Sequence, residues 1–145
     1  QRIEHLILTE SNLDPSPENA VSNHIASHSK EEFLNSGFES IVQRAIHSGN
    51  TLWAASLSLW SPVAAYGFSC SGKRGGRIPW RETLYALTCP RTFVFGEQTL
   101  PDPDETELRR HGVRVEIIPN VGHSMAWEDP LGLAETVERA IRSAP

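Results

Sequence analysis

The chain has little cysteine, little methionine and no surplus of positive charge. Two cysteines, Cys70 and Cys89, in 145 residues cannot build a disulfide framework, so a reducing, cytoplasmic setting is expected. Thirteen Lys and Arg against 18 Asp and Glu leave a net charge of −5. No basic block stands out, which argues against nucleic acid or an anionic membrane as partner. No apolar run reaches the roughly 18 residues of a transmembrane helix, and the opening residues do not read as a signal peptide. Repeats and low-complexity tracts are absent. Hydrophobic residues at 39 % and charged residues at 21 % are ordinary for a globular domain with a real core.

The clearest organisation lies between Arg91 and His123. Thr92 to Phe95 is an apolar run ended by Gly96, a buried-strand signal. Asp102-Pro103 should open a helix, with the aspartate as cap and the proline at the first helical position. Gly112 should close it. Val113 to Ile118 is rich in β-branched residues and predicts a second strand. A loop carrying His123 follows, and Asp129-Pro130 should cap a last helix with Leu133, Val137, Ala140 and Ile141 on its inner face.

Upstream, Ile3 to Leu8 reads as another strand, left by the polar turn Thr9 to Asp14. Residues 16 to 88 read as helices. One should run from Ser16-Pro17 to about His28. A capping box, Ser29-Lys-Glu-Glu32, should open the next, with Leu34, Phe38, Ile41, Val42, Ala45 and Ile46 along one side and Gly49 as its stop. A third covers Leu52 to Trp60, and a fourth starts at Ser61-Pro62. Gly67 to Gly76 is expected to be a flexible loop, with Lys73-Arg-Gly-Gly76 as a hinge. Trp80 to Leu87 is a short helix. Strand–helix–strand–helix order predicts an α/β fold with about three parallel strands and a helical insertion. Its segments would be residues 1–15, 16–88 and 89–145. Chemistry in such sheets sits beyond the carboxyl ends of the strands.

His123 occupies that position. An imidazole that titrates near neutral pH is a natural proton carrier. The stretch Val121-Gly-His-Ser-Met-Ala-Trp-Glu-Asp-Pro130 resembles the end of an α/β-hydrolase, where the last strand is followed by Gly-His and an acidic-Pro helix start. The resemblance implies the C-terminal half of a cap-bearing hydrolase: sixth strand, helical cap, seventh and eighth strands, last helix. It implies that His123 is the general base of a nucleophile–His–acid triad. The family's usual acid follows the seventh strand as Gly-x-x-Asp. Here the pattern reads Gly96-Glu97-Gln98-Thr99, with threonine in place of aspartate. Some members carry the acid after the sixth strand instead, in a Glu-x-Asn turn like Glu10-Ser-Asn12. Glu10 is therefore the expected acid, with Asp102 and Glu97 as alternatives. Asp102 already has a capping role to play; Glu10 has no such local task in the sequence.

The nucleophile is missing. No Gly-x-Ser-x-Gly elbow occurs, and Gly67-Phe-Ser69-Cys-Ser71-Gly72, the nearest stretch, has its second glycine one residue late. By the family's order the nucleophile precedes the acid and the histidine, so a serine (or an aspartate) upstream of Gln1 is expected. An N-terminal half carrying it would be this chain's partner, pairing along the strand at Ile3 to Leu8. The substrate would be a small, partly apolar ester or related molecule. Neither metal nor organic cofactor is implied. Trp53, Trp60 and Phe68 could wall an apolar pocket or simply pack between helices. His24 and His28 have the spacing of a metal pair, but no third ligand accompanies them, and helix-surface histidines are the plainer reading. A non-catalytic, hydrolase-derived binding module would show the same sequence with no nucleophile anywhere upstream. A complete small α/β binding domain is the third possibility; three strands would serve it poorly.

Overall fold

Alternating apolar strands and amphipathic helices build two compact units. A computed structural model describes residues 3–143; the outermost positions of the expected segments, 1–2 and 144–145, lie outside them. One unit comprises residues up to Asn12 together with those from Arg81 onward, and the other runs from Leu13 to Trp80.

The first unit is the α/β part. Its strands are β1 (Leu6–Thr9), β2 (Arg91–Gly96) and β3 (Arg114–Ile118). They form a parallel sheet in the order β1-β2-β3. Strand β1 starts three residues later than the sequence suggests, and Ile3 is exposed. Central β2 is apolar almost throughout because both its faces are covered, as parallel strands require. Its Val94 packs with Ile118, Val121 and Met125, flanked by Ile7 and Leu133. The rings of Phe93 and Phe95, whose centroids are 4.6 Å apart, alternate with Val94 along the strand. The register aligns Thr9 with Val94 and Gly96 with Ile118, so the carboxyl ends of all three strands open at one edge.

The helices of the second unit come first in the chain. They are α1 (Val21–Ser27), α2 (Lys30–Glu32), α3 (Phe38–His47), α4 (Thr51–Ser58) and α5 (Pro62–Arg74). The capping box at Ser29 forms in full: its hydroxyl accepts from the Glu32 amide, and the Glu32 carboxylate accepts from the Ser29 amide. The Ser29 hydroxyl also donates to that carboxylate at 2.7 Å, and this bond, then the one from the Ser29 amide, holds the Glu32 carboxyl below its usual pKa.

Several expectations fail here. Leu34 is exposed, and Phe33 is the fully buried residue instead. Between α2 and α3 the chain makes a π-helical turn, Phe33–Gly37, whose closing bond runs from the Phe38 amide to the Phe33 carbonyl. One extra residue in the turn brings Phe33 rather than Leu34 into line with Phe38. Gly37 makes room for it, since a Cβ there would sit 3.0 Å from the Phe33 ring. Ile46 is exposed as well, leaving Ile41, Val42 and Ala45 as the buried stripe of α3.

The expected loop at Gly67 to Gly76 is instead the second half of α5. Ser61 caps that helix and Pro62 starts it. Gly67 and Gly72 each weaken a helix by about 1 kcal/mol relative to alanine, but the helix packs on α1, and buried Ala65 and Ser69 lie on its inner face. Gly72 lets Ser16 approach: the Ser16 amide donates to its carbonyl at 3.1 Å, and the Ser16 hydroxyl lies 3.1 Å from where a Cβ would be. Only Gly75, with φ +73°, ends the helix. The Lys73–Gly76 stretch is thus a helix end and its cap rather than a hinge.

The remaining helices are α6 (Trp80–Ala86), α7 (Pro103–Arg110), α8 (Met125–Glu128) and α9 (Pro130–Arg142). Both α7 and α9 pack against β3. Ile141 does not share the inner face of α9. Thr136 and Ala140 are buried there beside Leu133, whereas Ile141 lies about 80° round the helix from Leu133 and is exposed. Among the described residues no helix is long and apolar enough to cross a membrane.

Candidate functional site

Glu10, Gly96 and His123 all sit just past the carboxyl ends of the parallel strands, and backbone geometry brings them together. Glu10 adopts a left-handed conformation, φ 43°, immediately after β1. Its amide continues the ladder by donating to Val94 O at 3.1 Å, and the turn then aims its carboxylate at the neighbouring strand end. One oxygen, Oε1, accepts from the Gly96 amide at 2.8 Å and lies 2.7 Å from the Thr99 hydroxyl. The other, Oε2, faces Nδ1 of His123 at 3.5 Å. Glu10 therefore has a local task that its sequence context does not reveal: it ties β1 to the turn after β2. Its side chain is mostly buried, at 12 % exposure, whereas that of His123 is 76 % exposed.

Thr99 stands where the aspartate of the resemblance would be. Its single hydroxyl proton can serve either Glu10 or the Gly96 carbonyl, 2.8 Å away. Glu97 and Asp102, the alternative acids, are engaged elsewhere. Glu97 accepts from the Asn120 amide at 2.8 Å, and Asp102 caps α7 by accepting from the Asp104 amide at 2.7 Å.

The loop that carries His123 is clasped from two sides. The Gln98 amide donates to Val121 O at 2.9 Å and the Gln98 side-chain amide to Asn120 O at 2.9 Å. Asn120 takes φ 60°, a left-handed turn that asparagine tolerates. Gly96 must be glycine because the loop passes directly over it: a Cβ there would collide with Gly122 O and lie 2.6 Å from Val121 O. On the far side, Glu128 reaches back from α8. Its carboxylate accepts from the amides of Gly122 at 2.5 Å and Ser124 at 3.2 Å, the two residues flanking His123. Sequence reading missed Glu128; the signal was a carboxylate five residues after the histidine, whose partners are main-chain groups.

With Nδ1 turned to Glu10, the other ring nitrogen of His123 points away and has no hydrogen bond within the described residues. At 3.5 Å the pair is within ion-pair reach but makes no hydrogen bond; a closer approach would hold the Nδ1–H tautomer and leave Nε2 as a base facing solvent.

Ser69, Trp53, Trp60, Phe68, His24 and His28 all belong to the helical unit. Ser69 is buried in the middle of α5, not on an exposed elbow. Trp53 packs against the core of the helical unit, while Trp60 and Phe68 are 47 % and 75 % exposed. His24 and His28 meet edge to face with centroids 5.0 Å apart, and His24 Nε2 lies 2.8 Å from an Arg44 nitrogen. Among the described residues no group of three or more His, Cys, Asp or Glu could hold a metal ion. Cys70 and Cys89 are free.

No protein-family model matches the chain, and no curated protein matches its sequence. Among solved structures, the crystal structure of NosK from Streptomyces actuosus is similar at 20 % identity with a TM-score of 0.46, the match covering 97 % of this chain. The chain spans 59 % of the length of that structure.

Proposed function

We propose that this chain is the C-terminal part of a cytoplasmic, cap-bearing α/β-hydrolase, with the nucleophile supplied by an upstream half of the same fold. The observation that supports it most is the 3.5 Å approach of Glu10 Oε2 to His123 Nδ1, from two turns at one end of a parallel sheet. The nucleophile in this reading is a serine hydroxyl, or an aspartate in a related branch. Nε2 of His123 takes the hydroxyl proton as Oγ bonds the substrate's carbonyl carbon. The imidazolium then returns that proton to the leaving alcohol as the ester C–O bond breaks. A water, deprotonated by the same nitrogen, then attacks the acyl carbon, and the imidazolium returns the proton to Oγ as the acyl C–Oγ bond breaks and the acid leaves. Glu10 holds the tautomer and offsets the transient positive charge on the ring. The substrate is a small, partly apolar ester.

The test is turnover of short-chain p-nitrophenyl esters by the chain joined to its upstream sequence. We expect no turnover from residues 1–145 alone, because a His–Glu pair without nucleophile or oxyanion donors lacks the covalent route. In the joined protein, His123→Ala should lower kcat by about three to four orders of magnitude with the fold intact. Unaltered turnover in that variant refutes the assignment. An upstream sequence with neither an elbow serine nor an elbow aspartate would make the chain part of a binding module.

A further inference from the structure

The helical unit has a cleft of its own, with a volume of about 520 Å³. That is within the range of small-molecule sites, roughly 300–1,000 Å³. Ile41 and Ala45, both buried, line it together with the half-buried indole of Trp53. Arg44, one residue before Ala45 on α3, and His24 on α1 supply polar groups to the same cleft.

Arginine can only donate, so the 2.8 Å contact between Arg44 Nη2 and His24 Nε2 makes that imidazole nitrogen the acceptor. His24 is then neutral, with its proton on Nδ1. Burial and the neighbouring guanidinium both push its pKa down, which agrees with that state. A neutral acceptor orients the guanidinium without cancelling its charge. Among the described residues no carboxylate forms an ion pair with Arg44. Glu18 lines the same cleft, so a second negative charge on a ligand would meet repulsion there.

We propose that this cleft binds a small monocarboxylate with an apolar body, its carboxylate on Arg44 and its body against Ile41, Ala45 and Trp53. A guanidinium fork matches a carboxylate with two parallel hydrogen bonds, and a flat indole beside aliphatic side chains suits an aromatic or short alkyl group. This assignment is independent of the hydrolase reading.

The test is a ¹H–¹⁵N NMR titration of the purified chain with phenylacetate at pH 7. Phenethylamine and 2-phenylacetamide carry the same ring with positive and zero charge. We expect saturable shifts at the Arg44 Nε and Trp53 Nε1 signals with phenylacetate, and binding at least tenfold weaker for the other two. Arg44→Gln, at an exposed position and with its fold checked by circular dichroism, should weaken phenylacetate binding at least tenfold. Absence of saturable shifts, equal or tighter binding of either analogue, or unchanged binding by Arg44→Gln overturns the proposal. The analogue series on the unaltered chain decides the matter even if the variant folds poorly.

Discussion

The two oxygens of Glu10 are divided between structure and His123: Oε1 takes the Gly96 amide at 2.8 Å, and Oε2 faces the imidazole at 3.5 Å. The division lets the two roles be separated by substitution. Glu10→Gln can keep a carbonyl oxygen for Gly96 and Thr99 while placing a neutral amide toward His123. If the joined protein is the proposed hydrolase, it should cost kcat about 10³- to 10⁴-fold and leave the urea midpoint nearly unchanged. Glu10→Ala should lose activity and also about 1–3 kcal/mol of stability, through the orphaned Gly96 amide. Equal stability of the two variants would show that the Oε1 contacts contribute nothing.

Gly96→Ala should be badly tolerated although its φ is −78°, which any residue can adopt. The obstacle is the rigid main chain of Val121 and Gly122 above it. We expect a loss of about 1–3 kcal/mol, as for other forced overpacking, with the largest amide shifts at residues 120–124. A variant as stable as the parent, with those amides unmoved, would contradict the close approach.

Glu128→Ala should release the loop from its outer side. The amides of Gly122 and Ser124 lose their carboxylate acceptor, so both should exchange faster with solvent and shift upfield in proton NMR. In the joined protein kcat should fall while KM holds, because the imidazole is less well oriented. Glu128→Gln, which keeps one acceptor, should recover part of the loss. A histidine loop that behaves identically in all three proteins would remove Glu128 from the account.

Phe33→Ala and Leu34→Ala should differ sharply. Phe33 is fully buried, and its ring meets those of Phe38 and Tyr66. Its loss should cost about 3–5 kcal/mol. Leu34 is 37 % exposed, so its truncation should cost well under half as much. The reverse order in denaturant melts would mean the π turn is absent in solution.

His24 is exposed, so solvent screens the effect, and it should lend the helical unit a small acid sensitivity. Its folded pKa is lowered from 6.5 by burial, then by Arg44 and His28. The unfolded chain therefore takes up this proton more readily than the folded one. The stability tied to neutral His24 is complete above the unfolded value and is lost as pH falls through the lowered folded pKa. His24→Gln, whose side-chain oxygen can still accept from Arg44, should flatten the urea midpoint between about pH 7 and 5. An unchanged slope there would rule this histidine out as a source of the pH dependence.

How much of this was legible beforehand differs from residue to residue. Parallel pairing of the strand before Glu10 with the strand before Gly96 followed from alternation of elements, and the register bears it out. His123 drew attention because its sequence neighbours have local meanings: a strand before, a Gly beside, a capped helix after. The dual use of Glu10 and the reach of Glu128 were not legible, since their partners are main-chain amides that every residue possesses. Phase errors had a single kind of cause. The stripe at Leu34 assumed an uninterrupted period of 3.6, and no residue type announces a π turn in advance. Gly67 and Gly72 favour a loop by sequence alone, but glycine's cost of about 1 kcal/mol is small against the packing of a whole helix face.

Glu10 and Gly96 touch although 86 positions separate them in sequence, and all of the helical unit lies in that interval. The entropy of closing such an excursion rises only with the logarithm of its length, by about 0.6 kcal/mol for each doubling. Lengthening, trimming or replacing the inserted helices is therefore a small perturbation to the strand ends. The strand ends and the inserted helices are free to diverge at different rates.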